Sequence, residues 1–560
     1  MENKEISRAL KLLSQLMELH EENPFKIRSV ANASFKVDKL PFKLKDKNLA
    51  ELETIDGIGK STASKIWELL QNGSIGELNS LIAATPGGVL DMLGIKGVGP
   101  KKIAIIWKNL GIENIGELYY ACNENRLIEA KGFGLKTQEE IKKAIEFKMA
   151  SKGRFLYAAI ETAAYSYRDS LSSTIKEIDS SSSVEITGEF RRKCEIIDEL
   201  SFLVISQKPE EAKIKIRHNF EQEIEDEPEK ITWKDENGIN IAIHFCTPDN
   251  HAFKLFETTG SSEHVEEVKK LLNGNQFESE NELYQSAGLD FIEPELREGG
   301  KEIAWAKNHQ LPKLVDFGDL KGTLHNHSTW SDGVHTLEEM ALYCKNTLKL
   351  EYLGICDHSK TAVYANGLNI ERVLQQHEEI DALNVKLAPF KIFKGIESDI
   401  LGDGSLDYPE EILAKFDFVV ASVHSNLKMD QERATERLIK AIENPYTTIL
   451  GHPTGRLLLS RGGYQIDYKK VIDACALNGV VIEINANPLR LDLDWRWHQY
   501  ALEKGVILSV NPDAHRNEGF LDMHYGIYVA RKGGLTKEMC LNCFDLDHIS
   551  SFFGNRKQKR

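Results

Sequence analysis

GTLHNHSTWSDG, residues 322–333, decides how this chain is read. A short apolar run leads into His325 and His327, and a carboxylate follows at Asp332. Further apolar runs then lead into side chains of the kind that bind metals: YLGICDH (352–358), FKIFKGIE (390–397), DFVVASVH (417–424), TTILGHP (447–453), VVIEINAN (480–487) and VILSVNPDAH (506–515). Helix-length segments separate them. Short strands alternating with helices, with functional side chains at the C-terminal strand ends, describe a (β/α) barrel with its site on that face.

Taken singly, a buried histidine is most often a core residue. Six histidines and three carboxylates placed repeatedly at strand ends are not. The candidate ligands are His325, His327, Asp332, His358, Glu397, His424, His452, Asp513 and His515. Such a mixed N/O set suits Mn²⁺, Zn²⁺ or Fe²⁺, whereas Mg²⁺ favours all-oxygen shells. A multinuclear site of this kind suits phosphoester hydrolysis.

Outward from the barrel, 560 residues imply about three to five units. No run approaches the roughly 18 apolar residues of a membrane span, and the start, MENKEISRAL, is charged. We therefore expect a cytoplasmic protein that meets no membrane. The net charge is −16, but residues 1–150 carry 22 Lys and Arg against 20 Asp and Glu, leaving 48 against 66 beyond. The front end is the expected nucleic-acid contact.

That front end reads as helical, beginning with the amphipathic ISRALKLLSQLMELH. A pattern recurs in it three times: IDGIGKSTASKI (55–66), IKGVGPKKIAII (95–106) and KGFGLKTQEEI (131–141). Each Gly-x-Gly turn opens a helix whose unpaired N–H groups can seat a phosphate. The expected DNA contacts are Gly57, Gly59, Lys60, Gly97, Gly99, Lys101 and Lys102. Strand-like runs follow between about 180 and 250: SSVEITGEF, LSFLVIS, AKIKIRHNF and INIAIHFCT. Cys540 and Cys543 form a lone CxxC with no second pair to complete a zinc site.

The three turns resemble the helix-hairpin-helix, which grips the DNA backbone without reading sequence. LHNHSTWSDG, CDHS, GIESDI, SVHS, GHPTGR, EINANP and NPDAH resemble the polymerase and histidinol phosphatase (PHP) domain, most closely the version attached to bacterial family X DNA polymerases. NPFKIR, ITGEFRRKCEIIDELSFLV, GINIAIHF, TTGSSEH and FIEPELREG extend the resemblance to that family end to end.

The resemblance implies a multidomain α and α/β protein. A helical DNA-binding domain with the first hairpin occupies 1–85 and a fingers-like hairpin region 86–150. A degenerate nucleotidyltransferase palm follows at 151–245, a thumb-like region at 246–300, a linker at 301–319 and a distorted (β/α)7 PHP barrel at 320–560. It further implies two or three divalent ions, manganese foremost with zinc or iron as alternatives. His325, His327, Glu397 and Asp513 would hold one, Glu397, His424 and His452 a second, and Asp332, His358 and His515 a third. The implied activity is 3′–5′ exonuclease on gapped or 3′-ended duplex DNA, in repair, by a monomer. Catalysis falls to Glu397 and Asp513, with Arg456 as a candidate for a substrate phosphate.

The palm departs from the family. Its Asp-x-Asp and third aspartate align with Glu199, Ser201 and Ala242, and its Gly-Ser pair is Gly188-Glu189. Asp198 should face away, since successive strand residues alternate. Paired Mg²⁺ needs those carboxylates, so little or no polymerase activity is expected. Lys65 aligns with the family's lyase lysine. The competing readings are a working polymerase with PHP proofreading and a small-molecule phosphatase resembling histidinol phosphatase.

Overall fold

The structure, a computed structural model, describes residues 1–558 apart from 41, 96, 129, 131, 151, 152, 219–224 and 275. Lys96 and Lys131 of the second and third Gly-x-Gly copies lie outside the described residues, as do the last two residues of AKIKIRHNF. The chain forms two compact units, 1–148 and 149–560.

Unit 1 is helical. Asn3–Leu19 buries Ile6, Leu10, Leu13 and Leu16, the three-and-four spacing of an amphipathic helix, and packs along Pro24–Val37. Asn23 caps the second helix, with its side chain accepting from the Phe25 amide at 2.9 Å and proline at the first turn. The first two hairpin turns open the helices Lys60–Asn72 and Pro100–Lys108, whose N-caps are Gly59 and Gly99 without a side-chain cap. Gly57 and Gly97 adopt φ of 83° and 87°, a region that glycine enters at no steric cost.

Unit 2 begins with a five-stranded sheet. Leu200–Ile205 pairs in parallel with Asn240–Cys246, bringing Ser201 opposite Ala242, and Ser183–Ile186 runs antiparallel along its other edge. AKIKIRHNF, expected as a strand, is instead the helix Pro209–His218. Its apolar Ala212 and Ile216 stand four apart and both join the core, so the helical period overrides the local alternation. Three helices, His251–Thr259, Ser262–Lys269 and Glu280–Ser286, then gather around Phe256 and Tyr284. Within 301–319, read as a linker, Glu302–Lys307 is helical and Ala306 belongs to that same core.

Residues beyond 320 form a nearly closed barrel of seven parallel strands in sequential order. Gly322–Thr323, Tyr352–Ile355, Lys391–Asp399, Phe418–Ser422, Ile449–Leu450, Val481–Asn485 and Leu508–Asn511 each pair with the next. The first and last meet just past their ends, where the His327 amide donates to the Ala514 carbonyl at 2.9 Å. Lower down, Asn542 fills the seam. Its amide group donates to the Gly322 carbonyl (3.2 Å) and Asn511 Oδ1 (3.1 Å), and its Oδ1 accepts from the Val510 amide (2.7 Å) and Ser509 Oγ (2.9 Å). Phe393, Phe418 and Phe553 pack beneath.

Candidate metal centre

Six of the seven strands deliver expected ligands at or near their C-terminal ends. His325 and His327 follow the first strand and His358 the second, Glu397 lies within the third, His424 and His452 follow the fourth and fifth, and Asp513 and His515 follow the seventh. Asp332 arrives on the loop after the first strand. That loop passes so close to His327 that a Cβ on Gly333 would lie 2.1 Å from the His327 carbonyl oxygen, which only glycine permits.

Five of the other eight expected ligands converge on Glu397, and Asp332, Asp513 and His515 join them through the histidines. Its Oε1 lies 3.0 Å from His452 Nε2, 3.2 Å from His424 Nε2 and 3.3 Å from His325 Nε2. Its Oε2 lies 3.0 Å from His358 Nδ1 and 3.7 Å from His327 Nε2. Asp513 Oδ1 sits 3.0 Å from His327 Nε2 and 3.5 Å from His325 Nε2, while Asp332 reaches His515 Nε2 at 3.4 Å and His358 Nε2 at 3.6 Å. By distance the groups able to hold an ion are His327, Asp332, His358 and His515; His325, His327 and Asp513; and His358, Glu397 and His424. His327 and His358 thus stand at the junctions of two groups each, where the family pattern gave each to one. Asp513 takes φ of 55°, a left-handed conformation of the strained kind found at functional sites, and its Oδ2 accepts from Asn485 Nδ2 at 3.1 Å.

Charge in this cluster is balanced from within. Burial opposes ionisation of Glu397 and Asp513, yet the surrounding histidines outweigh it and hold both carboxyls well below their ordinary range. Burial, with His515 and His358 beside it, pushes His327 down to about 3. Both ring nitrogens of His327 and His358, with His325 Nε2, Asp332 Oδ2 and Glu397 Oε2, are buried without a hydrogen-bond partner. Buried polar atoms are normally satisfied. Ionised carboxylates and unbonded imidazole nitrogens facing one point are the donor set a divalent cation completes, so the residues fit divalent ions.

Three further carboxylates, inside the quoted motifs but unassigned from sequence, support the ligands. Glu483 accepts from His325 Nδ1 at 2.7 Å, and Asp399 from His424 Nδ1 at 2.5 Å. Asp357 accepts from the Ser328 amide (2.8 Å), Ser328 Oγ (2.7 Å), Ser331 Oγ (2.5 Å) and Gln376 Nε2 (2.6 Å), fastening the loop that carries Asp332. For Asp357 the available signal was its place directly before His358, whereas Asp399 and Glu483 stand in motifs without a histidine and carried no such signal.

Arg456, expected as a candidate phosphate contact, is held by its own chain. Its guanidinium donates to Asp494 Oδ2 at 2.5 Å and the Arg490 carbonyl at 2.8 Å, and to the Leu491 carbonyl. With Nε and both terminal nitrogens engaged, it braces the turn that bears His452 against the loop 490–494.

The palm residues meet in a cleft of about 740 Å³ lined by Gly188, Glu189, Asp198, Glu199, Ser201 and Lys230 among others. Ser201 and Ala242 lie side by side on paired strands. Asp198 does line the cleft beside Glu199, against expectation, because both precede the strand that starts at Leu200 and alternation does not govern them. Asp198 is nevertheless paired with Arg154 at 2.7 Å, and its amide donates to Glu189 Oε2 at 2.7 Å. Burial raises the Glu189 carboxyl above its usual range. In unit 1, Lys65 forms an ion pair with Glu77 at 2.7 Å. Lys60 and Lys101 are exposed beside their open helix starts, and Lys102 stands half-buried over the Phe133 ring. No described helix is long and apolar enough to cross a membrane.

Residues 1–75 match the helix-hairpin-helix domain family and residues 89–146 the SAM-like helix-hairpin-helix tandem. The chain is 33% identical to the DNA polymerase/3′-5′ exonuclease PolX of Bacillus subtilis (strain 168), over an alignment covering 99% of each chain. Its C-terminal part is similar to probable phosphatases. One from Thermoanaerobacter sp. (strain X514) is 34% identical over 191 residues, 31% of this chain and 75% of that protein. Another, from Caldanaerobacter subterraneus subsp. tengcongensis, is 41% identical over 193 residues, 31% of this chain and 72% of its own.

Proposed function

The chain belongs to the bacterial family X DNA polymerases of the PolX type, with helix-hairpin-helix domains in front and a PHP domain behind, and from this we propose that it is a metal-dependent 3′–5′ DNA exonuclease whose palm no longer polymerises. The observation that carries the reading is the gathering of nine His, Asp and Glu side chains at one barrel mouth, five of the histidines against Glu397 and several with buried atoms unbonded. His325, His327, Glu397 and Asp513 would hold one ion, Glu397, His424 and His452 a second, and Asp332, His358 and His515 a third. Divalent ions, manganese foremost, supply Lewis acidity toward the phosphoryl group and lower the pKa of water.

The chain's own residues do the rest. Glu397, with both oxygens facing ligands, ties the ion seats into one unit. Asp399 and Glu483 orient His424 and His325, and Asp357 holds the Asp332 loop over the barrel mouth. The open helix starts at Gly59 and Gly99, with Lys60, Lys101 and Lys102, suit a DNA backbone without regard to sequence. We place the protein in the cytoplasm, as a monomer on gapped or 3′-ended duplex in DNA repair.

The loss of polymerisation is supported by what surrounds Ser201 and Ala242. Where an anion would seat, the Glu189 carboxylate already accepts the Asp198 amide, adding negative charge against a triphosphate. The phosphatase names of the C-terminal relatives favour one second reading, release of phosphate from small monoesters.

The deciding experiment is manganese-dependent digestion of a 3′-recessed, 5′-labelled duplex by the wild type and by His325→Ala with Asp513→Ala, with nucleotides added in parallel. Stepwise shortening lost in the variant, with no extension, is expected. Primer extension would overturn the palm assignment. Intact DNA alongside phosphate release from p-nitrophenyl phosphate would move the function to the second reading.

A further inference from the structure

We propose that Glu483 is a positioning residue that sets two of the metal-binding histidines at once, so that the affinity of the centre for divalent ions depends on a carboxylate that binds none. The inference rests on the metal-dependent reading of the same site. Glu483 lies in the sixth strand, fully buried. Its Oε1 accepts from His325 Nδ1 at 2.7 Å and Asn511 Nδ2 at 3.0 Å, and its Oε2 from the His452 amide at 2.8 Å and Asn485 Nδ2 at 3.4 Å. Both oxygens are therefore occupied by donors, and Glu483 is not a tenth ligand.

Its two histidine partners come from the first and fifth strands, yet both turn Nε2 toward the same Glu397 oxygen, at 3.3 Å and 3.0 Å. By accepting from His325 Nδ1, Glu483 selects the tautomer whose Nε2 carries a lone pair toward Glu397 and Asp513. By accepting the His452 amide it fixes the start of the turn from which that ring projects. Asp399, in contrast, supports His424 alone. Among the described residues, no lysine or arginine is a partner of Glu483. The charge that offsets burial of the Glu483 carboxylate therefore reaches it through His325.

Glu483→Gln is nearly isosteric and separates the roles. Whichever way its amide turns, the NH₂ group meets a donor, either His325 Nδ1–H or the His452 amide, and one ligand loses its anchor. Mn²⁺ binding is titrated on the full-length protein, with the free ion read by electron paramagnetic resonance, alongside exonuclease rate against Mn²⁺ and against DNA. The variant should need about 10- to 100-fold more Mn²⁺ for half-saturation. Its rate should recover at high Mn²⁺ with the KM for DNA unchanged, and Asp399→Asn should shift the binding curve less. Should the glutamine variant not fold, Glu483→Asp gives the same reading, since the shorter side chain cannot reach both histidines. A Mn²⁺ binding curve in either folded variant that matches the wild type overturns the proposal. A wild-type protein that binds no Mn²⁺ overturns instead the metal-dependent reading beneath it.

Discussion

Replacing Asp357 by alanine should release the loop 328–332 without touching a ligand. Asp357 is fully buried, and the Ser328 amide and Gln376 Nε2 both end on its carboxylate. Ser331 keeps an alternative, since its amide also reaches the Ser328 carbonyl at 3.1 Å. At least these two buried donors therefore lose their acceptor, with the Ser328 hydroxyl besides, at about 1–3 kcal/mol each. The local opening of the loop should become easier by at least about 2 kcal/mol, or roughly 30-fold in the opening equilibrium. Amide hydrogen exchange of 328–333 in metal-free protein should then accelerate about 30-fold or more, and Mn²⁺ held through Asp332 should weaken with it. Asp357→Asn should be far milder. Gln376 Oε1 is buried without a hydrogen-bond partner, so a rotated Gln376 amide can accept from the new side chain. Unchanged exchange in the alanine variant, or an asparagine variant that opens as readily, would refute this account of the loop.

Removing divalent ions with EDTA should abolish nuclease activity, and added Mn²⁺ should restore it; activity that survives chelation in metal-free buffer would contradict the site. Arg456→Lys, which cannot reproduce three diverging hydrogen bonds, should lower stability by about 2–4 kcal/mol and weaken Mn²⁺ binding near His452, with the KM for DNA within about threefold of wild type. A selective rise in that KM would return Arg456 to phosphate binding. His498 is fully buried, donates from Nε2 to the Leu493 carbonyl at 3.1 Å, and is pushed by burial down to about 4 from an ordinary 6.5. A depressed folded pKa means that the unfolded chain takes up the proton first, so this contribution is complete above pH 6.5. It fades as pH falls from 6.5 toward 4, on the order of 3 kcal/mol in all. The Tm difference between pH 7.5 and pH 5 should accordingly shrink in His498→Gln, and an unaltered difference would exclude His498 as its source.

The barrel was legible because its information is local. Apolar runs ending on polar groups encode strands whose last side chains face one mouth, so His325 to His515 could be named as a set before any contact was known. The helix-hairpin-helix turns were legible for the same reason, through glycine at Gly57 and Gly97, where φ is positive. Local pattern also misled. AKIKIRHNF alternates like a strand yet folds as a helix, and Asp198 was assigned the wrong face because the strand begins two residues after it.

Sequence by itself determined the family, the barrel, its nine candidate ligands and the absence of a carboxylate at Ser201 and Ala242, since each is a matter of residue type at a position. Only the tertiary structure decided who meets whom. Glu483 finds His325 across 158 residues, Asn542 closes the seam against Gly322 across 220, and Arg456 turns to Asp494 instead of outward. A side chain's chemistry is carried by its residue, but its partners are set by where barrel closure brings distant backbone together, and no local period records that distance.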